Sequence, residues 1–200
     1  QVYEGQATVN RSTPWLVRLD RQGGMIGQQC LNDENIILSY DPIFIREAYS
    51  QNGKGYYLNQ HYHGIVTIIK LNEDGDELWR KYPDHFGTYI CPTSDGGLLI
   101  GGSYGHIGKY ENDSLLKMDG DGNTEWGLSL GLTDFYDETR TSVYQAKDGG
   151  YYALVNTTTG TAFYRISSMG QIEWRHNYGQ GMPGDNLVHL VELDDGFLLG

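Results

Sequence analysis

Apolar residues fall along this chain in short, strand-sized clusters cut by turns rich in glycine and aspartate, and the clusters recur in a fixed order. One recurring unit is a hairpin: WLVRLDRQG ends at Gly23, IIKLNEDG at Gly75, LLKMDGDG at Gly122 and FYRISSMG at Gly170. Five residues before each glycine stands a cation (Arg18, Lys70, Lys117 or Arg165), and the next position is apolar (Leu19, Leu71, Met118 or Ile166). Four residues after it stands Trp79, Trp126 or Trp174; the first copy has Gly27 there. The glycines are 52, 47 and 48 residues apart, so the period is close to fifty.

A second unit alternates with the first. It is a turn feeding a strand: GKGYYL around Gly55, DGGLLI around Gly97, DGGYYA around Gly150 and DDGFLL around Gly196. Another β-like stretch precedes each turn, for example TYIC ending at Cys91 or SVYQ ending at Gln145. Each period therefore predicts four short strands, and the apolar spacing of three and four that marks helices does not occur. A repeat of this length holding four antiparallel strands predicts an all-β chain, a β-propeller of four-stranded blades of 47–52 residues. One such sheet cannot cover both its faces, so neighbouring blades must stack and bury the recurring Leu, Tyr and Trp side chains. Residues 1–200 are read as a single domain of about four repeats that starts and stops within a blade. The expectation is that the propeller continues beyond Gly200; the alternative is a four-bladed ring in which the last strand pairs with the first sheet.

Composition adds to this picture. The 28 glycines beside 16 tyrosines and 5 prolines suit tight turns and half-buried pleated surfaces. Fourteen basic against twenty-six acidic residues leave a net charge of −12, with no cationic stripe, which argues against nucleic acid or an anionic membrane as partner. The apolar runs are far shorter than the roughly 20 residues that span a bilayer. The first residues, Gln1-Val-Tyr-Glu-Gly5, lack the basic and apolar regions of a leader, so any export signal is expected to have been removed already or never present. Cys30 and Cys91 leave open one disulfide or two thiols.

The combination of Asp148-Gly-Gly-Tyr-Tyr152, Arg165 to Trp174 (RISSMGQIEW) and Tyr178-Gly179 resembles the propeller-like repeats of secreted and surface proteins of Bacteroidetes, with the blade around Leu116 to Gly122 matching best. That resemblance covers nearly the whole chain and implies export, often through the type IX secretion system. The Asp-x-x-Gly-x-x-x-Trp spacing is also similar to the docking motif of quinoprotein propellers, which include quinone-dependent dehydrogenases and non-catalytic outer-membrane assembly lipoproteins. In that motif the glycine closes a turn and the tryptophan packs between blades. Departures here are Gly27 in place of tryptophan, Gly53-Lys-Gly55 in place of Asp-Gly-Gly, and the long connector from Gln28 to Asn52.

Several short patterns carry potential chemistry. Gly101-Gly-Ser103-Tyr-Gly105 has the spacing of a nucleophile elbow, but the following GKYEND at 108–113 reads as a loop where a helix is required, leaving Ser103 as a turn residue. Asp119, Asp121 and Asn123 precede Glu125 and could converge on Ca²⁺, although their glycines fall at the wrong positions for an EF-hand and the other copies do not keep the ligands. The competing reading is an Asp/Gly hairpin turn. His61 and His63 would share a strand face, with His85, His106 and His189 as possible third ligands through the fold. Asn10, Asn112 and Asn156 head N-glycosylation patterns, and Asp113-Ser-Leu115 resembles the O-glycosylation acceptor of Bacteroidetes surface proteins.

The sequence holds no converging catalytic set. The expected function is therefore a non-catalytic binding or scaffolding module, extracellular or cell-surface with the periplasm as alternative, presenting loops to a protein or glycan partner such as an outer-membrane protein. The competing expectations are a quinoprotein-like or other enzyme with an axial site, and a calcium-binding adhesin.

Overall fold

A computed structural model of the chain describes residues 15–30, 44–50, 55–62, 65–83, 89–102, 114–130, 141–157, 160–178 and 189–200. Every regular element among them is a β-strand. Three complete antiparallel meanders follow one another: β3–β6 (Phe44–Ser50, Tyr56–Tyr62, Ile65–Leu71, Glu77–Lys81), β7–β10 (Tyr89–Pro92, Leu98–Gly102, Ser114–Met118, Thr124–Ser129) and β11–β14 (Thr141–Gln145, Tyr151–Thr157, Gly160–Ile166, Ile172–Tyr178). Two half-blades flank them: β1–β2 (Trp15–Leu19, Met25–Cys30) and β15–β16 (Leu190–Glu192, Phe197–Leu199), each a separate two-stranded sheet.

Strands within a blade run in sequence order from first to fourth, and the first strands of neighbouring blades, β3 with β7 and β7 with β11, touch. That is the arrangement of propeller blades around an axis. The architecture is an all-β propeller of four-stranded blades, not closed within the described residues. Among the described residues β16 pairs with β15.

The core lies between sheets, and the two-residue period of the strands puts it there. Along β12, Tyr151, Ala153 and Val155 face the preceding blade, in a cluster with Leu99 and Leu115, while Tyr152 and Leu154 face the other way, toward Leu190 and Leu199. In β8, Leu98 and Ile100 pack with Tyr57 and Ile68 of the blade before, and Leu99 turns to the blade after. The second and third strands are thus buried on both faces, whereas the fourth strands β10 and β14 are mostly exposed. A one-residue slip would exchange the two faces, so each interface fixes the register of its neighbours.

Candidate functional site

The meander sorts the connections between strands onto two faces. Links from first to second strand and from third to fourth leave one end of every blade; links from second to third and from blade to blade leave the other. Among the described residues the first end is closed by tight turns. Six of them share one hydrogen-bond pattern, in which Gly23, Gly75, Gly96, Gly122, Gly149 and Gly170 each donate to the residue three before, with φ between +75° and +92°. In the turns between third and fourth strands the ladder register slips by one residue, a bulge that places glycine in the left-handed region.

Gly97, Gly150 and Gly196 follow a different rule from these. The left-handed glycine of the Asp-Gly-Gly copies is the first one, Gly96 or Gly149. Gly97 is needed because a Cβ there would collide with the Met118 carbonyl and lie 2.7 Å from Lys117 Nζ; at Gly150 it would lie 2.7 Å from the Arg165 guanidinium. Gly55 meets the equivalent backbone, the Leu71 carbonyl. Gly196 has open space around it, since no third strand lies beside it among the described residues.

The cation of the repeat belongs to this crowding. Lys117 is 1% exposed and pairs with Asp95 at 2.8 Å and Glu125 at 2.6 Å. Arg165 pairs with Asp148 at 2.5 Å and Glu173 at 3.2 Å, and stacks 4.9 Å from the Tyr152 ring centre. In both blades the aspartate also accepts its own turn's amide, from Gly97 at 2.9 Å or Gly150 at 3.1 Å. Where sequence places Gly53 instead of aspartate, Lys70 turns outward to the next blade and donates to the Gly120 carbonyl at 2.7 Å. Asp-Gly-Gly and the cation are one device, an aspartate that clamps a turn and a buried charge that holds it.

Burial opposes the charge on Lys117, but its hydrogen bonds to Asp95 and Glu125 outweigh that and raise its pKa. Burial likewise pushes the Asp95 carboxyl up, and Lys117, Thr93 and the Gly97 amide together pull it below its ordinary value. The hydrogen bond from Arg165 holds Asp148 low. A carboxyl whose folded pKa is depressed stabilises the fold above its unfolded value, near 3.9, and that contribution is lost as pH falls toward the folded value. The urea midpoint is therefore expected to fall between pH 6 and pH 3, and Asp148→Asn to flatten the dependence; equal slopes in both proteins would contradict the clamp.

Trp79 and Trp126 join consecutive blades. Trp79 Nε1 donates to the Gly120 carbonyl at 3.0 Å, with its ring against Gly122 and 5.8 Å from Tyr57. Trp126 Nε1 donates to the Ser168 carbonyl at 3.2 Å, with its ring against Gly170 and 5.7 Å from Tyr151. In the first copy Gly27 leaves this position empty, and Leu16 and the Gln29 amide, which donates to the Gly75 carbonyl, take over. Trp174 rests on Phe163, at 5.1 Å between ring centres, and on Tyr152 of its own blade.

The remaining candidates divide by face. Asp119 is a turn residue: its Oδ1 accepts from the amides of Asp121 and Asn123, and its Oδ2 from the Asn123 side chain. In the equivalent turns Asp20 accepts from the amides of Gln22 and Gly24, and Asn72 accepts from the amide of Asp76. Among the described residues no group of three or more His, Cys, Asp or Glu could hold a metal. His189 uses its backbone to pair with Gly200 and is exposed. The His61 side chain, together with Ser103, His63, His85, His106, Asn10, Asn112, Asp113 and most of the Gln28–Asn52 connector, lies outside the described residues. Asn156 is buried and accepts from Thr161 at 2.7 Å, which is incompatible with a glycan. Cys30 and Cys91 sit in different sheets and are not joined as a disulfide.

No family model and no curated protein sequence matches the chain. Among solved structures, a protein of unknown function from Bacteroides caccae superposes with a TM-score of 0.54 at 14% identity, covering 94% of this chain and 65% of that one. BBS1N, in its complex with ARL6DN, gives a TM-score of 0.37 at 11% identity over 90% of this chain and 64% of that one. The chain thus spans just under two thirds of each, and the Bacteroides likeness speaks for the fold alone.

Proposed function

We propose that this chain is a non-catalytic propeller module of a secreted or cell-surface bacterial protein, which presents the connector face of its blades to a protein or glycan partner. The observation that carries the reading is the division of labour between the two faces. On the turn face, aspartates, cations and tryptophans are engaged with one another and with turn carbonyls, so this chemistry serves the blades themselves. The strands bordering every longer connection, from residues 31–43 through 103–113 and 131–140 to 179–188, all end at the opposite face. Loops on a rigid scaffold are where recognition concentrates. The net charge of −12 selects against polyanionic partners. Export rests on the likeness of the repeats to those of Bacteroidetes surface proteins.

The labelled chain is expected to be retained on a glycan array or on a panel of purified outer-membrane proteins. Replacing residues 103–110 with a Gly-Ser spacer should abolish retention, and Glu73→Lys on the turn face should leave it intact. Oxidation of alcohols or sugars by the purified chain supplied with pyrroloquinoline quinone and Ca²⁺ would overturn the reading.

A further inference from the structure

The repeat holds its cation in two ways, and the carboxylates around it decide which. Lys117 and Arg165 stay within their own blade, each between the turn aspartate (Asp95 or Asp148) and the glutamate that precedes the tryptophan (Glu125 or Glu173). Lys70 and Arg18 cross to the next blade. Lys70 Nζ reaches the Gly120 carbonyl at 2.7 Å and the Gly96 carbonyl at 3.5 Å, over the Tyr57 ring at 5.2 Å, and Arg18 bonds the carbonyl and carboxylate of Asp74. In both crossing copies the glutamate's position is apolar, Leu78 or Ile26, and in the Lys70 copy Gly53 stands where the aspartate would be.

Lys117 already faces the blade it would have to reach. Lys70 pairs across the ladder with Tyr57, and Lys117 with Leu99; Tyr57 and Leu99 both pack against the following blade. The carbonyls that hold Lys70 also have counterparts one blade on. Gly120, two residues before its hairpin glycine, accepts from Trp79; Ser168, two residues before Gly170, accepts from Trp126. Gly96, the left-handed glycine of its turn, corresponds to Gly149.

We propose that Lys117 is a two-position switch: with Asp95 and Glu125 charged it clamps its own turn, and once they are neutralised it extends across the junction to the Ser168 and Gly149 carbonyls. There it takes the place that Lys70 holds one blade earlier. A buried ammonium keeps its charge only with polar partners, so losing the carboxylates leaves it to seek carbonyls. The other groups that face it leave the choice to that pair. Asp119, in the turn after β9, accepts from its own turn with both oxygens. Tyr151, on β12 of the following blade, and Tyr57, beside Asp95, are kept neutral by burial, which pushes both hydroxyls up. Acid therefore releases the turn clamp and adds a strut between the second and third complete blades in one movement.

Crystal structures test this. Asp95→Gly/Glu125→Leu gives the second complete blade the residues of the first at both positions. In that variant at neutral pH, Lys117 Nζ is expected to leave the Met118 carbonyl, now 3.0 Å away, and to lie within hydrogen-bond distance of the Ser168 carbonyl. The wild-type chain at about pH 3 makes the same test without a substitution, and there Nζ is expected to move in the same way. In solution, nuclear Overhauser contacts from the Lys117 ε-methylene to the Gly149 and Ser168 α-protons should strengthen on acidification and in the variant. An ammonium that stays on the Met118 carbonyl, or turns out to solvent, in the variant or in the acid form overturns the proposal.

Discussion

Gly97→Ala is expected to destabilise the chain by about 3 kcal/mol, the upper end of what inserting one methyl into a packed site ordinarily costs. The new Cβ would be driven into the Met118 carbonyl, a backbone atom held on both sides by the β8–β9 and β9–β10 ladders, and against Lys117 Nζ. Neither can retreat easily. The carbonyl is fixed by its strand, and the ammonium is held by two carboxylates. In a chain of this size that cost lowers the melting temperature by roughly 6–12 °C. Gly149→Ala, at the first glycine of the next Asp-Gly-Gly copy, is the control. No described atom lies within 4 Å of a Cβ there, so only the positive φ penalises a side chain, by about 1–2 kcal/mol, and the second glycine of such a pair should prove the less replaceable. Urea midpoints that rank the two the other way would contradict the packing argument.

That ranking could not be read from Asp-Gly-Gly. Sequence periodicity exposed the blades because a left-handed turn admits little but glycine, which leaves a visible mark once per hairpin at Gly23, Gly75, Gly122 and Gly170. The tryptophans were equally legible, standing at a fixed offset from that mark. What the spacing hid was partnership. Asp95 and Lys117 are 22 residues apart and Asp148 and Arg165 are 17 apart, and only the pairing of second with third strand brings each couple together. A signal for it existed: the copy whose turn opens with Gly53 is the copy whose lysine reaches into the next blade. The substitution of Leu16 and Gln29 for a missing tryptophan left no mark of any kind, because any side chains of suitable shape can cover a glycine turn. The Asp119 run shows how one spacing suits two local structures. In one dimension the run looks like a cation loop; in three, both Asp119 oxygens accept from Asp121 and Asn123 within their own turn.

Lys117→Met carries the second large effect, an expected loss of about 2 kcal/mol. Removing one partner of a fully buried pair costs about 3–5 kcal/mol, because the charge left behind is neither solvated nor neutralised. Here the ammonium is buried but its carboxylates are about half exposed, so Asp95 and Glu125 can recover water and the penalty shrinks. What cannot be recovered is the hydrogen bond to the Met118 carbonyl, at 3.0 Å, and the hold on the Asp95 side chain that closes the turn. The effect should change with pH in a way that a simple loss of packing would not. Without the ammonium, Asp95 loses a main cause of its depressed pKa, so the stability difference between wild type and variant should narrow as pH falls from 6 to 3 and the wild-type carboxyl is protonated. The variant should also couple to Gly97→Ala. With the ammonium gone, one of the two obstacles to the new methyl disappears while the Met118 carbonyl remains, so the double variant should be more stable than the sum of the single losses predicts. Strict additivity, with a gap that stays constant across pH, would mean that turn and cation act separately and that the clamp is only a coincidence of packing.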